Sequence, residues 1–242
     1  RVFSYRREVQ PVFDAHCVRC HDYGKEAGEK LNLSGGRTLT FNTSYNELWR
    51  KGYTGAVGAG PAPVQPAYSW GTHASKLVEK LLEGHGELEP DSEAFRRIVT
   101  WIDLNAPYYP VYASAFPRNL AGRSPLEPAA LNRLAELTGV PFAKLAAHNS
   151  NRGPQVNFDR PELSPCLKPL AGKRPDAYAE ALEIIRRGAA TLAEVPRGDD
   201  PRFTLAGEDA TRQRKYVRLE ALQQATRAAL AEGRKHYDAG RS

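Results

Sequence analysis

The chain of 242 residues contains no methionine. This absence excludes the thioether of a methionine side chain as a ligand for any metal that the chain binds. Without a methionine before Arg1, we expect a mature chain or a piece cut from a longer one. No apolar run approaches the roughly 20 residues that a membrane-spanning helix needs, so we predict no membrane span.

Cysteine is also scarce. The three cysteines are too few for a disulfide framework. Cys17 and Cys20 lie close together, whereas Cys166 is isolated in the sequence. We expect Cys166 to be a buried free thiol, because an unpaired cysteine behaves as a small apolar side chain. Zinc ligation and an intermolecular disulfide are the alternatives.

The net charge of +6 is unevenly distributed. Residues 1–112 contain 13 basic and 13 acidic side chains, and residues 113–242 contain 21 and 15. This excess predicts either a solvated helical surface or a basic face that steers an acidic partner protein. No helix-turn-helix, zinc-finger or RNP pattern occurs, so we predict no nucleic-acid partner.

Apolar and turn-forming residues divide the chain into two parts, residues 1–112 and 113–242. Strand patterns are weak throughout, and the apolar periodicity predicts an all-α fold. In the first part, helices are predicted over residues 4–18, 44–50, 75–83 and 91–104. Pro11 should kink the first helix or begin its second half, and Asp91 is the predicted N-cap of the last.

The second part is predicted to be a helical extension. Its helices are expected over residues 127–137, 141–147, 175–192 and 208–233. The last helix carries an apolar stripe of Tyr216, Leu219, Leu222 and Leu230. Because an apolar stripe is usually buried, we expect it to pack on the first part or on a partner.

The sequence Cys17-Val18-Arg19-Cys20-His21 is the attachment pattern of a c-type haem. Two thiols at this spacing reach two vinyl groups of one porphyrin, and the histidine that follows then lies beneath the iron. We predict one covalently bound haem c, with Cys17 and Cys20 as thioethers and His21 as the proximal ligand. A zinc site is the alternative if Cys166 and a distant histidine supply two further ligands. A thioredoxin-type redox pair would need a βαβ context, which the sequence lacks.

The group opposite His21 decides what the iron can do. With methionine excluded, that position holds histidine or another weak ligand, or it stays open. His85 is the predicted distal ligand, because it follows a predicted helix and lies between Gly84 and Gly86. Glycines at such positions allow the backbone to approach a flat cofactor closely. His73 is the alternative distal ligand.

The remaining candidates are weaker. His16 is held beside Cys17 and away from the far face, and His148 and His236 belong to the second part, where histidines more often decorate the surface. Tyrosine is a further ligand type, represented in or near loops by Tyr23, Tyr53 and Tyr68. Two histidines saturate the iron and limit it to changes of oxidation state, whereas an open or tyrosine-ligated iron suits activation of small molecules.

Other side chains are expected near the porphyrin. Arg37, Arg50 and Lys51 are candidate partners of the haem propionates, because cations pair with carboxylates. Phe95 and Trp101, on the last predicted helix of the first part, are expected to cover a porphyrin edge.

Several stretches of residues 3–112 resemble the cytochrome c domains of planctomycete-type multidomain proteins. They are residues 9–13 (VQPVF), 16–21 (HCVRCH), 74–77 (ASKL), 84–85 (GH) and 101–109 (WIDLNAPYY), and the downstream residues 157–165 (NFDRPELSP) are also similar. The nearest characterised relative that we suggest is the C-terminal haem domain of the hydrazine synthase alpha subunit. The resemblance implies a cytochrome c-like haem domain, whose distal ligand lies in the loop that contains His85, followed by a helical C-terminal extension.

These features predict an electron-transfer module with a single bis-histidine haem that docks on a redox partner protein. The alternative is a catalytic haem domain or subunit of a larger redox enzyme, as the resemblance to hydrazine synthase implies, so enzymatic activity stays open. A third hypothesis is that residues 113–242 hold a larger assembly together, with other domains or subunits of a multi-haem complex as partners. Because haem is attached in this way outside the cytoplasm, we expect a periplasmic or extracellular protein.

Overall fold

A computed structural model describes residues 2–57, 64–86, 88–145 and 150–236. Over these residues the protein is all-α, as predicted, and its only β-pairing is an isolated antiparallel bridge between Arg37 and Asn42. No helix among them combines the length and the apolarity needed to cross a membrane. The α-helices are α1 Tyr5–Glu8, α2 Gln10–His16, α3 Glu26–Lys30, α4 Thr43–Arg50, α5 Lys76–Leu82, α6 Glu93–Asp103, α7 Pro128–Thr138, α8 Pro175–Glu194 and α9 Gly207–Ala231.

The chain divides into two compact units, Arg1–Phe203 and Thr204–Ser242. Helices α1–α8 belong to the first unit and α9 to the second. The predicted boundary after residue 112 lies inside the first unit, where the buried apolar side chains form two separate cores.

The helix predicted over residues 4–18 is two helices, α1 and α2, which meet at Val9. Pro11 stands in the first turn of α2, where a missing N–H costs no intrahelical hydrogen bond. Helix α2 buries Val12 and Phe13 and ends so that Cys17 follows at its C-terminus. Residues 17–21, which carry the predicted haem-attachment pattern, therefore follow directly after a helix whose apolar side chains are buried in the core.

A cluster of aromatic rings lies in the first core. The ring centroid of the fully buried Tyr5 lies 4.9 Å from that of Trp101, 5.2 Å from that of Tyr45 and 5.5 Å from that of Tyr108. Aromatic pairs of this kind contribute about 0.5–1.5 kcal/mol each beyond the burial of their area. These contacts join α1, α4, α6 and the segment after α6.

Ser92 caps α6, and the prediction of Asp91 is wrong by one residue. The Ser92 hydroxyl oxygen accepts a hydrogen bond from the Phe95 amide at 3.1 Å. Serine and aspartate are both good N-caps, so the sequence alone does not separate two neighbours of these types.

The second core is mainly aliphatic and lies between α7 and α8. Cys166 is buried in it with a free thiol, as expected, and burial raises the pKa of this thiol to about 12. Leu39, from the first part of the sequence, also belongs to this core. The two parts of the first unit therefore share buried side chains.

A buried ion pair ties the end of the first unit to its beginning. Arg197 and Asp199 are 0% and 2% exposed, and their charged groups lie 2.8 Å apart. Arg197 also donates hydrogen bonds to the main-chain oxygens of Thr38 and Phe41, and the Tyr108 hydroxyl donates to Asp199 at 2.8 Å. Burial acts to raise the pKa of Asp199, but the Arg197 guanidinium outweighs it and lowers the pKa to about 2.

Helix α9 exposes its apolar stripe. The four side chains of the stripe are between 37% and 62% exposed: Tyr216, Leu219, Leu222 and Leu230. Charged residues such as Arg218 and Glu220 lie between the members of the stripe in the sequence. Packing of this stripe on a partner protein stays a prediction.

Candidate haem-binding site

A cleft of about 740 Å³ opens at the C-terminus of α2. Its walls are apolar side chains from α3, from the segment after it, from the loop after α4 and from α5: Ala27, Leu31, Leu33, Tyr53, Leu77 and Leu81. The volume lies within the roughly 300–1,000 Å³ that is usual for cofactor sites. Cys17, Cys20 and His21 also line this cleft, and so does His85. The fold therefore gathers the predicted thioether residues and both predicted axial ligands around one space.

Three hydrogen bonds fix His21. Its amide donates to the Cys17 carbonyl at 2.9 Å, and its own carbonyl accepts from the Leu33 amide at 2.9 Å. The ring nitrogen Nδ1 lies 2.8 Å from the Leu31 carbonyl oxygen. Because a carbonyl only accepts, Nδ1 carries the proton and donates. In the neutral ring the other nitrogen, Nε2, then carries no proton and can bind a metal through its lone pair.

The ring of His85 lies close to that of His21 in the lining of the cleft. The two ring centroids are 5.8 Å apart, and the ring planes are inclined by 73°. An imidazole nitrogen binds a metal ion at about 2 Å, so rings on opposite sides of one ion have centres about 6 Å apart. The separation of the two rings therefore fits one metal ion held between them.

Two glycines give His85 this position. The His85 amide donates to the Lys80 carbonyl at 3.2 Å, just beyond the end of α5. Gly84 and Gly86 on either side have φ angles of +86° and +87°, in the left-handed region that favours glycine. Close approach of the backbone to a flat cofactor at these glycines stays a prediction.

The other candidate ligands lie in different places. His73 is in a 3₁₀ turn outside the lining of the cleft, and its ring centroid lies 4.7 Å from that of Tyr68. His16 is exposed at the rim of the cleft. His148 lies outside the described residues, and His236 is exposed in the second unit.

Of the candidate tyrosines, only Tyr53 lines the cleft among the described residues. The Tyr23 hydroxyl is 3.1 Å from the Thr43 hydroxyl, which engages it away from the cleft.

The two cysteines of the pattern lie at the cleft in a tight turn. The Cys20 amide donates to the Cys17 carbonyl at 3.0 Å, and both thiols are free. Cys20 is exposed, whereas burial raises the pKa of the Cys17 thiol to about 11. Among the described residues, no group of three or more His, Cys, Asp or Glu side chains is arranged to hold a metal ion.

Cations line the cleft in positions that the sequence prediction missed. They are Arg19, Lys25, Lys30 and Lys80. Lys30 also pairs with Glu26 at 3.0 Å, and Lys80 with Glu83 at 2.6 Å. These cations would pair with the two propionates of a haem, so thiols, imidazoles, apolar walls and cations together fit that group.

The predicted propionate partners are wrong. Arg37 pairs with Asp159 at 2.5 Å, and Arg50 and Lys51 each pair with Glu47 at 2.7 Å. None of the three cations lines the cleft. A basic residue gives no signal in the sequence that tells which carboxylate it will meet.

The predicted cover of the porphyrin edge is also wrong. Phe95 and Trp101 face the first core, and the Trp101 indole N–H donates to the Pro107 carbonyl at 3.0 Å. Neither residue lines the cleft, whose helical wall comes from Leu77 and Leu81 of α5. Apolar periodicity showed that α6 is buried, but it does not show which surface a helix covers.

The sequence prediction also missed α3, which has only five residues. This helix leads to Leu31, whose carbonyl holds the ring of His21. The sequence predicts a short extended piece over residues 31–36, and the structure places Leu31, in an extended conformation, directly after α3.

Comparison of the chain with protein-family models, curated proteins and solved structures finds no match. The assignment of this site rests on its own residues and their geometry.

Proposed function

We propose that this chain is a c-type cytochrome module that carries one covalently bound haem and transfers single electrons. The observation that carries the proposal is the closeness of the His21 and His85 rings, whose centroids are 5.8 Å apart, at a cleft that Cys17 and Cys20 also line. A bound haem iron supplies one-electron chemistry between its ferric and ferrous states.

The residues of the cleft have distinct roles in this proposal. Cys17 and Cys20 attach the group, and His21 binds its iron through Nε2. The hydrogen bond from His21 Nδ1 to Leu31 makes the imidazole a stronger base, which favours the ferric state. His85 would supply a second imidazole to the iron, which would leave no coordination site for a small molecule.

The mouth of the cleft is open to solvent and basic. Arg19, Cys20 and Lys25 are exposed there, so a haem edge at this mouth would be accessible to a docked protein. Complementary charge speeds the encounter of redox partners more than it tightens their complex. We therefore propose an acidic redox partner, a periplasmic or extracellular location, and a role of residues 113–242 in contacts with other domains or subunits.

The alternative proposal, a catalytic haem domain of a larger redox enzyme, requires an iron that binds substrate. The position of His85 supports the electron-transfer proposal over this one, because a second imidazole fills the coordination site that a substrate would need.

The test is production of the chain together with a cytochrome c maturation system. We expect the pyridine haemochrome of a thioether-bound haem at one per chain, a low-spin spectrum, and reversible one-electron reduction. The spectrum of the reduced protein should not change with carbon monoxide. A chain without haem would contradict the proposal, and immediate binding of carbon monoxide would favour the catalytic alternative.

A further inference from the structure

Residues 157–160 are far from His21 in the sequence, yet they contact the loop that holds it. Arg160 donates hydrogen bonds to both carboxylate oxygens of Asp22, at 2.5 and 2.7 Å. Asp22 directly follows His21. The two parallel hydrogen bonds therefore act on the residue next to the proximal ligand.

The same segment holds the other end of this loop. The Phe158 amide donates to the Arg37 carbonyl at 2.8 Å, and the Arg37 amide donates to the Asp159 carboxylate at 2.8 Å. A side-chain carbon at Gly36 would lie 2.5 Å from the side-chain nitrogen Nδ2 of Asn157, so these residues are tightly packed. The loop of residues 21–37 is thus fixed at both ends by residues 157–160.

The hydrogen bond of the proximal imidazole is formed inside this loop. His21 donates through Nδ1 to the Leu31 carbonyl. The strength of this hydrogen bond therefore depends on how the main chain at His21 is placed relative to that at Leu31. The main chain at Asp22 packs against Gly28, where a side-chain carbon would lie 1.8 Å from the Asp22 carbonyl oxygen. A shift of Asp22 would therefore be passed to α3 and to Leu31 at its end.

Arg160 is well placed to hold Asp22 still. Its side chain is 38% exposed and that of Asp22 is 18% exposed, so the pair is partly shielded from water. The guanidinium also lies over the Tyr23 ring, 5.2 Å from its centroid. A fork of two hydrogen bonds restricts orientation as well as distance, which a lysine cannot do.

We propose that Arg160 is a positioning residue of the haem site, which fixes the orientation of the His21 imidazole through Asp22. This inference rests on the proposed function. It makes a segment outside the first 112 residues part of the control of the reduction potential. When the Arg160–Asp22 contact is lost, the His21–Leu31 hydrogen bond weakens and the imidazole becomes a weaker base. The ferric state then loses stability, and the reduction potential rises.

The test uses the holoprotein with the variants Asp22→Asn, Arg160→Gln, Arg160→Lys and the double variant Asp22→Asn/Arg160→Gln. Arg186→Gln is the matched control. Arg186 pairs at 2.7 Å with Glu162, which lies two residues after Arg160, and the side chain of Arg186 is more exposed than that of Arg160. The measurements are the midpoint potential and the largest g value of the ferric low-spin electron paramagnetic resonance signal. That g value reports the relative orientation of the two imidazole planes.

Charge and position give different patterns in this series. If only charge mattered, loss of Asp22 would raise the potential and loss of Arg160 would lower it. Positioning predicts that Asp22→Asn, Arg160→Gln and the charge-conserving Arg160→Lys all raise the potential and all shift the g value. It also predicts that the double variant resembles the single variants, because one contact is lost in all of them.

Four results would overturn the inference. The first is an unchanged potential and g value in Arg160→Lys and Asp22→Asn, and the second is potential shifts of opposite sign in Asp22→Asn and Arg160→Gln with no change of g value. The third is a lower melting temperature as the only effect of these variants. The fourth is an equal shift of the potential in Arg186→Gln. Absence of haem from the parent protein would instead contradict the proposed function itself.

Discussion

The two parts of the first unit treat their cysteines in opposite ways. Cys17 and Cys20 stand at an open cleft of about 740 Å³, whereas Cys166 is enclosed by the second core with 1% of its surface exposed. Burial raises the pKa of Cys17 to about 11 and that of Cys166 to about 12, so acidity does not separate the two thiols. The space beside Cys17 and Cys20 and the two imidazoles that line it are the observations behind the proposed cofactor site.

The two cores also differ in whether they border an open cleft. The first core contains a cluster of aromatic rings around Tyr5 beside its aliphatic side chains, and it borders the cleft with Leu31, Leu77 and Leu81. The second core packs aliphatic side chains of α7 and α8 against each other. A closed core gains its stability from its own side chains, whereas the walls of an open cleft gain theirs when an apolar group covers them.

The strongest test of this comparison removes the thiols of one part and then of the other. The double variant Cys17→Ala/Cys20→Ala should lose all covalently bound haem and several degrees of melting temperature, because the cleft loses the group that covers its walls. Cys166→Ala should retain one haem per chain and lose about 1–2 kcal/mol of unfolding free energy from the small cavity. Haemochrome absorbance and thermal unfolding measure both effects. Loss of haem in Cys166→Ala alone would break the comparison.

A second prediction separates the two sides of the cleft. His85→Ala should leave the haem attached and open one coordination position, so that the reduced protein changes from no binding of carbon monoxide to one molecule per haem. His73→Ala is the control and should leave the spectrum unchanged, because His73 is outside the cleft lining. A spectrum altered by His73→Ala and not by His85→Ala would exchange the roles of the two histidines.

A third prediction tests whether the second part supports the first. Asp199→Ala leaves the guanidinium of Arg197 buried without its carboxylate, which should cost about 3–5 kcal/mol of unfolding free energy. The double variant Arg197→Met/Asp199→Ala should cost less than the single variant, because no charge is left buried. Urea unfolding followed by circular dichroism measures both. Equal loss in the single and the double variant would mean that the pair acts only through packing.

The smallest expected effect is a dependence on pH. Asp199 has a pKa of about 2, below its ordinary value of 3.8. A lowered pKa means that the ionised form is favoured by folding, so this stability is present above pH 4 and is lost as the pH falls from about 4 to about 2. The expected loss is about 2 kcal/mol. Unfolding free energies of the parent and of Arg197→Met/Asp199→Ala between pH 5 and pH 2 measure it, and parallel curves would contradict this role of Asp199.

Much of the fold could be predicted from the sequence because its signals are local. Apolar spacing predicted α4, α5, α7 and α8 to within a few residues, and Pro11 marked the break between α1 and α2. His85 was expected near the cofactor because it follows a predicted helix and lies between Gly84 and Gly86, and the structure places it in the lining of the cleft.

The parts that the sequence did not predict depend on contacts between distant residues. The pairing of Arg160 with Asp22 spans 138 positions, and that of Arg197 with Thr38 spans 159. The predicted propionate contacts of Arg37 and Arg50 were wrong for the same reason. So was the predicted surface that α6 covers. Periodicity reports that a side chain is buried and charge reports that it needs a partner, but neither reports which surface or which partner.

The most direct measurement of the central claim is the mass of the proteolytic peptide that contains Cys17, Cys20 and His21, taken from protein matured with haem available. We expect this peptide to carry the mass of one haem added through two thioether bonds, and Cys166 to be unmodified in its own peptide. An unmodified peptide with two free thiols, or one that carries zinc in place of haem, would contradict it.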